Sequence, residues 1–135
     1  MEKRIIDVKT LKPGRYIMME DVPCKIIGMT HSKPGKHGGA RVRIDAVGVF
    51  DDSKRNLIKP AGDKVEAPVL EKKVAQVLAV LGDKLQMMDM TSYETFDLPM
   101  PDEQEMKAFI REGAEIMYIT WGAQKKITQA KGSGE

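Results

Sequence analysis

Residues 31 to 39, His-Ser-Lys-Pro-Gly-Lys-His-Gly-Gly, bring together Lys33, Lys36, His31 and His37 with no acidic and no aliphatic side chain. Amines, imidazoles and unhindered backbone N–H groups suit three kinds of chemistry: cradling a nucleotide phosphate, ligating a metal, or neutralising a nucleic-acid backbone. A nucleotide loop fails on spacing, because G-x-x-x-x-G-K-[ST] must join a strand to a helix. Here Gly28 and Gly35 stand seven apart, His37 follows Lys36, and a strand pattern comes next. A metal site would have to use His31, His37 and Cys24, which lack CxxC or HxxxH spacing. Nucleic-acid contact agrees with more of the residues: lysines meet phosphates, His37 can stack or donate, and glycine N–H groups add donors. A solvated loop that is basic by chance is the plain alternative.

No catalytic constellation is visible elsewhere. The carboxylates are scattered over strand faces predicted to be wet, and Ser32, Ser53, Thr91 and Ser92 have no neighbouring base. An enzyme is therefore not expected, nor a metal or other cofactor. Cys24, the single cysteine, lies in VPCKIIGM and is expected to be buried and unreactive in a reducing compartment. The ten methionines, Met18-Met19 and Met87-Met88 among them, are expected to fill cores.

Positioning the basic stretch falls to its flanks. RIIDV (4–8), YIMMEDV (16–22), CKIIGMTH (24–31), ARVRIDAVGVF (40–50) and KVEAPVL (64–70) read as short strands. They are separated by KPG, by the basic stretch and by DDSKRNLIKPAGD. In the fourth, Val42, Ile44 and Ala46 alternate with Arg41, Arg43 and Asp45, so one face is buried and one is wet. The basic stretch is then a hairpin loop with Lys36 near its middle, and it is expected to be mobile. Gly35, Gly38 and Gly39 permit positive φ and close approach, and Pro34 stiffens one limb.

Five strands in about 70 residues without a helix between them predict a small antiparallel barrel over residues 1–69. Residues 70–135 form a second domain. KKVAQVLAVLG (72–82), KLQMMDM (84–90), SYETFDLPM (92–100) and AEIMYITWGAQKKITQ (114–129) are strand-like, with a hairpin turn at Gly82-Asp83, although KVAQVLAVL alone also reads as a helix because a short apolar run does not settle the period. A helix is signalled between them by Pro101, by acidic residues in its first turn, by an apolar stripe of Met106, Phe109 and Ile110, and by Gly113. A helix after the third strand of a five-element β domain is the order of an OB-fold barrel, an architecture that binds oligonucleotides. The tail AKGSGE is expected to be disordered.

Hydrophobic residues at 41% and charged residues at 31% are globular values that exclude wholesale disorder. No apolar run approaches the roughly 20 residues of a membrane span, and MEKRIIDVKT lacks a secretory apolar stretch, so a cytoplasmic protein is expected. Charge is uneven: residues 1–69 carry 14 Lys+Arg against 9 Asp+Glu, and residues 70–135 carry 8 against 11. Val22 to Ile44 contains no acid at all but five cations, Lys25, Lys33, Lys36, Arg41 and Arg43, as expected of a surface that faces phosphate.

The segment Ser32-Lys33-Pro34-Gly35-Lys36-His37-Gly38-Gly39-Ala40-Arg41 resembles the signature loop of the translation initiation factor 5A family. The resemblance spans the chain: basic loop, two barrels, a boundary near Ala67 to Leu70, and a helix inserted in the second barrel. Pro34 stands where Thr is common, and Gly39 and Arg41 stand where eukaryotic members have His and Lys, which makes the chain similar to the archaeal branch. The lack of a third domain sets it apart from the related bacterial elongation factor P. The resemblance implies an N-terminal SH3-like barrel and a C-terminal OB-fold. It also implies that Lys36 is converted to hypusine or deoxyhypusine by an aminobutyl group derived from spermidine, with deoxyhypusine synthase as the modifying enzyme.

The implied partners are the ribosome, through ribosomal RNA, and peptidyl-tRNA, with no membrane and a monomeric state. The implied action is to help slow peptide bonds form, notably at consecutive prolines. Lys33, Lys36, His37, Arg41 and Arg43 are the RNA or tRNA contacts under this reading, and Pro34, Gly35, Gly38 and Gly39 shape the loop. A general RNA-binding or RNA-remodelling module acting off the ribosome is the alternative.

Overall fold

The computed structural model describes residues 2–33 and 39–131. Residues 34–38, where the sequence predicts a mobile loop tip, and 132–135 lie outside the described residues, but Ala130, the first residue of the tail expected to be disordered, ends the last strand and is fully buried. The chain forms two compact units, Met1–Val69 and Leu70–Glu135. Both are small, almost entirely β barrels, the first SH3-like and the second an OB-fold.

In the first unit, β1 (Lys3–Asp7) pairs with β6 (Lys64–Pro68), and β2 (Tyr16–Met19), β3 (Val22–Ser32), β4 (Arg41–Gly48) and β5 (Lys54–Pro60) form a sheet in that order. All neighbours are antiparallel. The alternation in β4 is realised: Val42, Ile44 and Ala46 are at most 2% exposed and join Ile17, Met19, Cys24, Ile26 and Val65 in the core. Cys24 is fully buried as expected, and burial pushes its thiol pKa up.

Two elements of this unit differ from the expectation. YIMMEDV is not one strand: β2 ends at Met19, and Glu20 and Asp21, both at positive φ (51° and 63°), make a two-residue turn that starts β3 at Val22. That turn type favours Asn and Gly, so Glu-Asp hides it. An ion pair from Arg55 Nη1 to Glu20 Oε2 at 2.9 Å fastens it to β5. DDSKRNLIKPAGD is not a mere separator, because it contains β5. Arg55, Leu57 and Lys59 turn half-buried stems inward, and charged tips on two of the three mask the alternation.

The second unit has the strand order β11-β10-β7-β8-β9, built from β7 (Glu71–Leu81), β8 (Lys84–Asp89), β9 (Thr95–Pro99), β10 (Glu115–Trp121) and β11 (Gln124–Ala130). The run 114–129 is therefore two strands, split at Gly122, whose φ of 61° opens a two-residue turn. Gly82 (φ 69°) opens the predicted β7–β8 turn in the same way. β11 closes onto β9, where Lys125 Nζ sits 5.1 Å above the Phe96 ring centroid. Met87 is fully buried and Met18 and Met19 nearly so, as the core-filling reading expects, whereas Met90 and Met117 are exposed.

The helix is shorter than predicted. α1 spans only Gln104–Lys107, and the following N–H groups of Phe109 and Ile110 reach back three residues rather than four. Met106 and Ile110 are buried, whereas Phe109 is 39% exposed, so the stripe has two members rather than three. Gly113 (φ 88°) gives its N–H to Val77 of β7 instead of closing a helix.

Asp89 and Tyr118 lock this barrel. The Tyr118 hydroxyl donates to Asp89 Oδ2 at 2.5 Å, while Asp89 Oδ1 accepts from the backbone N–H groups of Thr91 and Ser92, each at 2.8 Å. Asp89 is 3% exposed, and these donors, Tyr118 first, hold its pKa down to about 2. A depressed carboxylate contributes stability above its unfolded pKa near 3.8, and that stability is lost as pH falls toward 2. In an acid titration of stability, Asp89→Asn should remove on the order of 2 kcal/mol of dependence between about pH 4 and pH 2. Tyr118→Phe should cost about 2 kcal/mol at neutral pH in denaturant melts, because a buried charged acceptor loses its strongest donor.

Candidate functional site

β3 and β4 are in register from Cys24↔Gly48 to the last described rung, Ser32↔Arg41. The loop that joins them therefore leaves from a fixed pair of strand ends. Lys33, Gly39 and Ala40 are its described shoulders, and all are exposed. The second shoulder is held by the Ala61 N–H, which donates to the Ala40 carbonyl at 2.9 Å. Lys36, Pro34, Gly35, His37 and Gly38 lie outside the described residues. The backbone at Gly39 is not in the left-handed region and a Cβ there would meet nothing within 4 Å, so its described surroundings accept a larger residue.

A bulge sets which side chains flank the loop. The register steps between Ile26 and Gly28, leaving Ile27 as an extra, 58% exposed residue. Beyond it Met29 opposes buried Ile44, while Thr30 opposes Arg43 and Ser32 opposes Arg41 on the outward face. Arg41 and Arg43 are two residues apart on one exposed strand face, about 7 Å along β4. Arg43 donates from Nε to Asp45 Oδ1 at 3.3 Å. The acid-free window from 22 to 44 thus meets a carboxylate at its border, which strand periodicity could have shown, since residues 43 and 45 share a face.

His31 opposes Val42 near the end of β3 and is exposed, as a residue closing a strand would be. Cys24 lies seven residues away, roughly 23 Å along an extended strand, and its Sγ is spent on the Val22 carbonyl at 3.3 Å. Among the described residues no group of three or more His, Cys, Asp or Glu side chains could hold a metal ion.

Fold and site define a two-barrel protein whose first barrel presents a basic hairpin, the build of a class of translation factors. Residues 4–63 match the family model described as translation initiation factor 5A-like, N-terminal. Translation initiation factor 5A of Methanothermobacter thermautotrophicus is 43% identical over 132 residues, covering 98% of this chain and 100% of that protein. The factor from Methanopyrus kandleri is 46% identical over 126 residues, covering 93% of each. Among solved structures, the eukaryotic translation initiation factor 5A from Methanococcus jannaschii aligns with a TM-score of 0.85 and 40% identity, covering 95% of this chain and 94% of that one. The chain belongs to the translation initiation factor 5A family and is a translation factor of archaeal type.

The flank that carries the loop should be far more sensitive inside than outside. Ile44→Ala should cost about 3 kcal/mol in thermal or denaturant melts, while Arg41→Ala and Arg43→Ala should each stay within about 0.5 kcal/mol of the parent.

Proposed function

We propose that this factor binds the ribosome beside peptidyl-tRNA and promotes peptide-bond formation, notably at stalling polyproline sequences, through an aminobutyl-extended Lys36. The observation that supports this most is the registered β3–β4 hairpin in a member of this family, with Lys36 in the Gly35-Lys36-His37-Gly38 core between its strands. Lys36 lies four positions beyond Ser32, and an extended chain covers at most roughly 14 Å over that length. The lysine side chain and a four-carbon amine add to this reach. An aminobutyl group on the Lys36 amine keeps one protonatable nitrogen and adds another, giving a thin dication suited to an RNA-lined channel. Lys33, Arg41 and Arg43 at the base hold phosphates, and His37 stacks or donates.

In this reading the factor orients a substrate whose chemistry belongs to the ribosome. Deoxyhypusine synthase makes the modification from spermidine. The protein works as a cytoplasmic monomer, and none of its described helices is long and apolar enough to cross a membrane.

Intact mass of protein from its native host should show an aminobutyl-sized increment localised to Lys36; lysine found only as encoded would favour an RNA-binding module acting off the ribosome. Lys36→Arg should abolish both the increment and the stimulation of polyproline synthesis while leaving the melt unchanged, and undiminished stimulation would rule the mechanism out. Arg41→Ala and Arg43→Ala should each lower the slope of log affinity against log salt by about 0.7 on single-stranded RNA.

A further inference from the structure

Cross-strand partners share a face, so the register of β3, β4 and β5 places side chains far from the loop on the same outward surface as Arg41 and Arg43. Lys25 opposes Val47 on β4, and Val47 opposes Lys54 on β5. Both lysines are exposed, and among the described residues neither has an ion-pair partner. From Arg41 to Val47 the face runs about 20 Å along β4. Its single outward acid on β4, Asp45, is occupied by Arg43. Beyond the Lys54 end lie Glu20, Asp51 and Asp52, and Arg55 holds the first two at 2.9 and 3.7 Å.

We propose that the outward face of β3, β4 and β5 is a phosphate track for an RNA strand, running from Arg41 beside the loop to Lys25 and Lys54, with Asp45 as a positioning residue that aims Arg43. The track rests on the reading that this loop works on RNA, and extends it across the sheet to Asp45 and to Lys54 of β5, which lie outside the acid-free window from 22 to 44. Asp45 engages only Nε of Arg43, which leaves the two terminal nitrogens free for the bidentate geometry that phosphate accepts. Both partners are partly exposed, at 53% and 39%, so a strand lying on the sheet can reach them. Ile58, opposite Arg43 on β5 and 57% exposed, offers the arginine stem and a sugar or base an apolar wall.

The test uses the full chain and a fluorescently labelled oligouridine titrated across potassium chloride concentrations, with thermal melts to verify that each variant is folded. The double variant Lys25→Gln, Lys54→Gln should lower the salt slope by about 1.4, from about 0.7 per lost phosphate contact on a single strand. The control pair Lys9→Gln, Lys12→Gln removes the same charge from exposed positions off the track and should leave the slope unchanged. An unchanged slope in the first pair, or an equal fall in the second, overturns the track.

Asp45→Asn separates positioning from simple charge. Removing an acid from a phosphate-binding face should tighten binding if charge alone counts, whereas loss of the Arg43 clamp should weaken it several-fold, with Asp45→Glu recovering part of the loss. Tighter or unchanged binding overturns the positioning role. A lost polyproline stimulation in Lys36→Arg together with an unmoved slope in the lysine pair would keep the proposed function and remove the track; the opposite pattern would do the reverse.

Discussion

The register of β3 against β4 is the constraint on which both the core and the surface of the first barrel depend. Side chains alternate with a period of two, so placing Val42, Ile44 and Ala46 in the core commits Arg41, Arg43 and Asp45 to the opposite face. Slipping the pairing by one residue would put two guanidinium groups into a space closed by Ile17, Met19 and Val65, where an unpaired charge is strongly destabilising. Core packing therefore excludes the wrong register and turns the cations outward at the base of the loop, where the exposed Arg43–Asp45 pair orients one of them. This separation explains how a surface can be specialised for a partner at almost no cost to folding.

The second barrel uses a different device. Its five strands close by contacts across the barrel rather than by one dominant hairpin. Asp89, at the end of β8, takes a hydrogen bond from Tyr118 on β10 while its other oxygen organises the turn into β9. Phe96 on β9 packs against the same tyrosine, with ring centroids 5.1 Å apart, and accepts Lys125 of β11 on its face. One buried carboxylate thus joins three strands, and a cation over an aromatic ring joins the edges. Satisfaction of every oxygen is what makes a buried Asp tolerable here, since the same group with one missing donor would destabilise the barrel.

Much of this was legible from residue types, and the parts that were not share a cause. β4 and the Gly82 turn could be read because their signals are local: strict alternation, and a glycine at a turn that needs positive φ. β5 escaped because Arg55 and Lys59 bury stems while displaying charge, so an amphipathic side chain passes for a polar one. The Glu20-Asp21 turn escaped because neither residue advertises positive φ, and its support, Arg55, is 34 residues or more distant in the chain. The helix is shorter than its signals because Gly113, which reads as a closing cap, bonds to β7 instead. At the candidate site the basic flank was legible from composition, and Arg43–Asp45 could have been found from the period. The kinship of Lys54 with Lys25 and Arg41 could not, because it exists only through pairing across three strands.

The bulge at Ile27 shows how closely core and site are coupled. Before it, Cys24 and Ile26 face inward; an uninterrupted strand would continue that phase to Gly28, Thr30 and Ser32, burying two hydroxyls and turning Met29 outward. One extra residue resets the phase, so that Met29 meets Ile44 while Thr30 and Ser32 stand beside Arg43 and Arg41. The accommodation leaves Ile27 exposed, an apolar side chain in water with no core role. A strand that needed only to complete a barrel could have corrected its phase by exchanging residue types along its length. Keeping the insertion instead gives an outward face that is polar from the loop inward, next to the arginines, and an inward face that remains apolar up to Met29, so the same eleven residues serve a packed interior and an open basic surface.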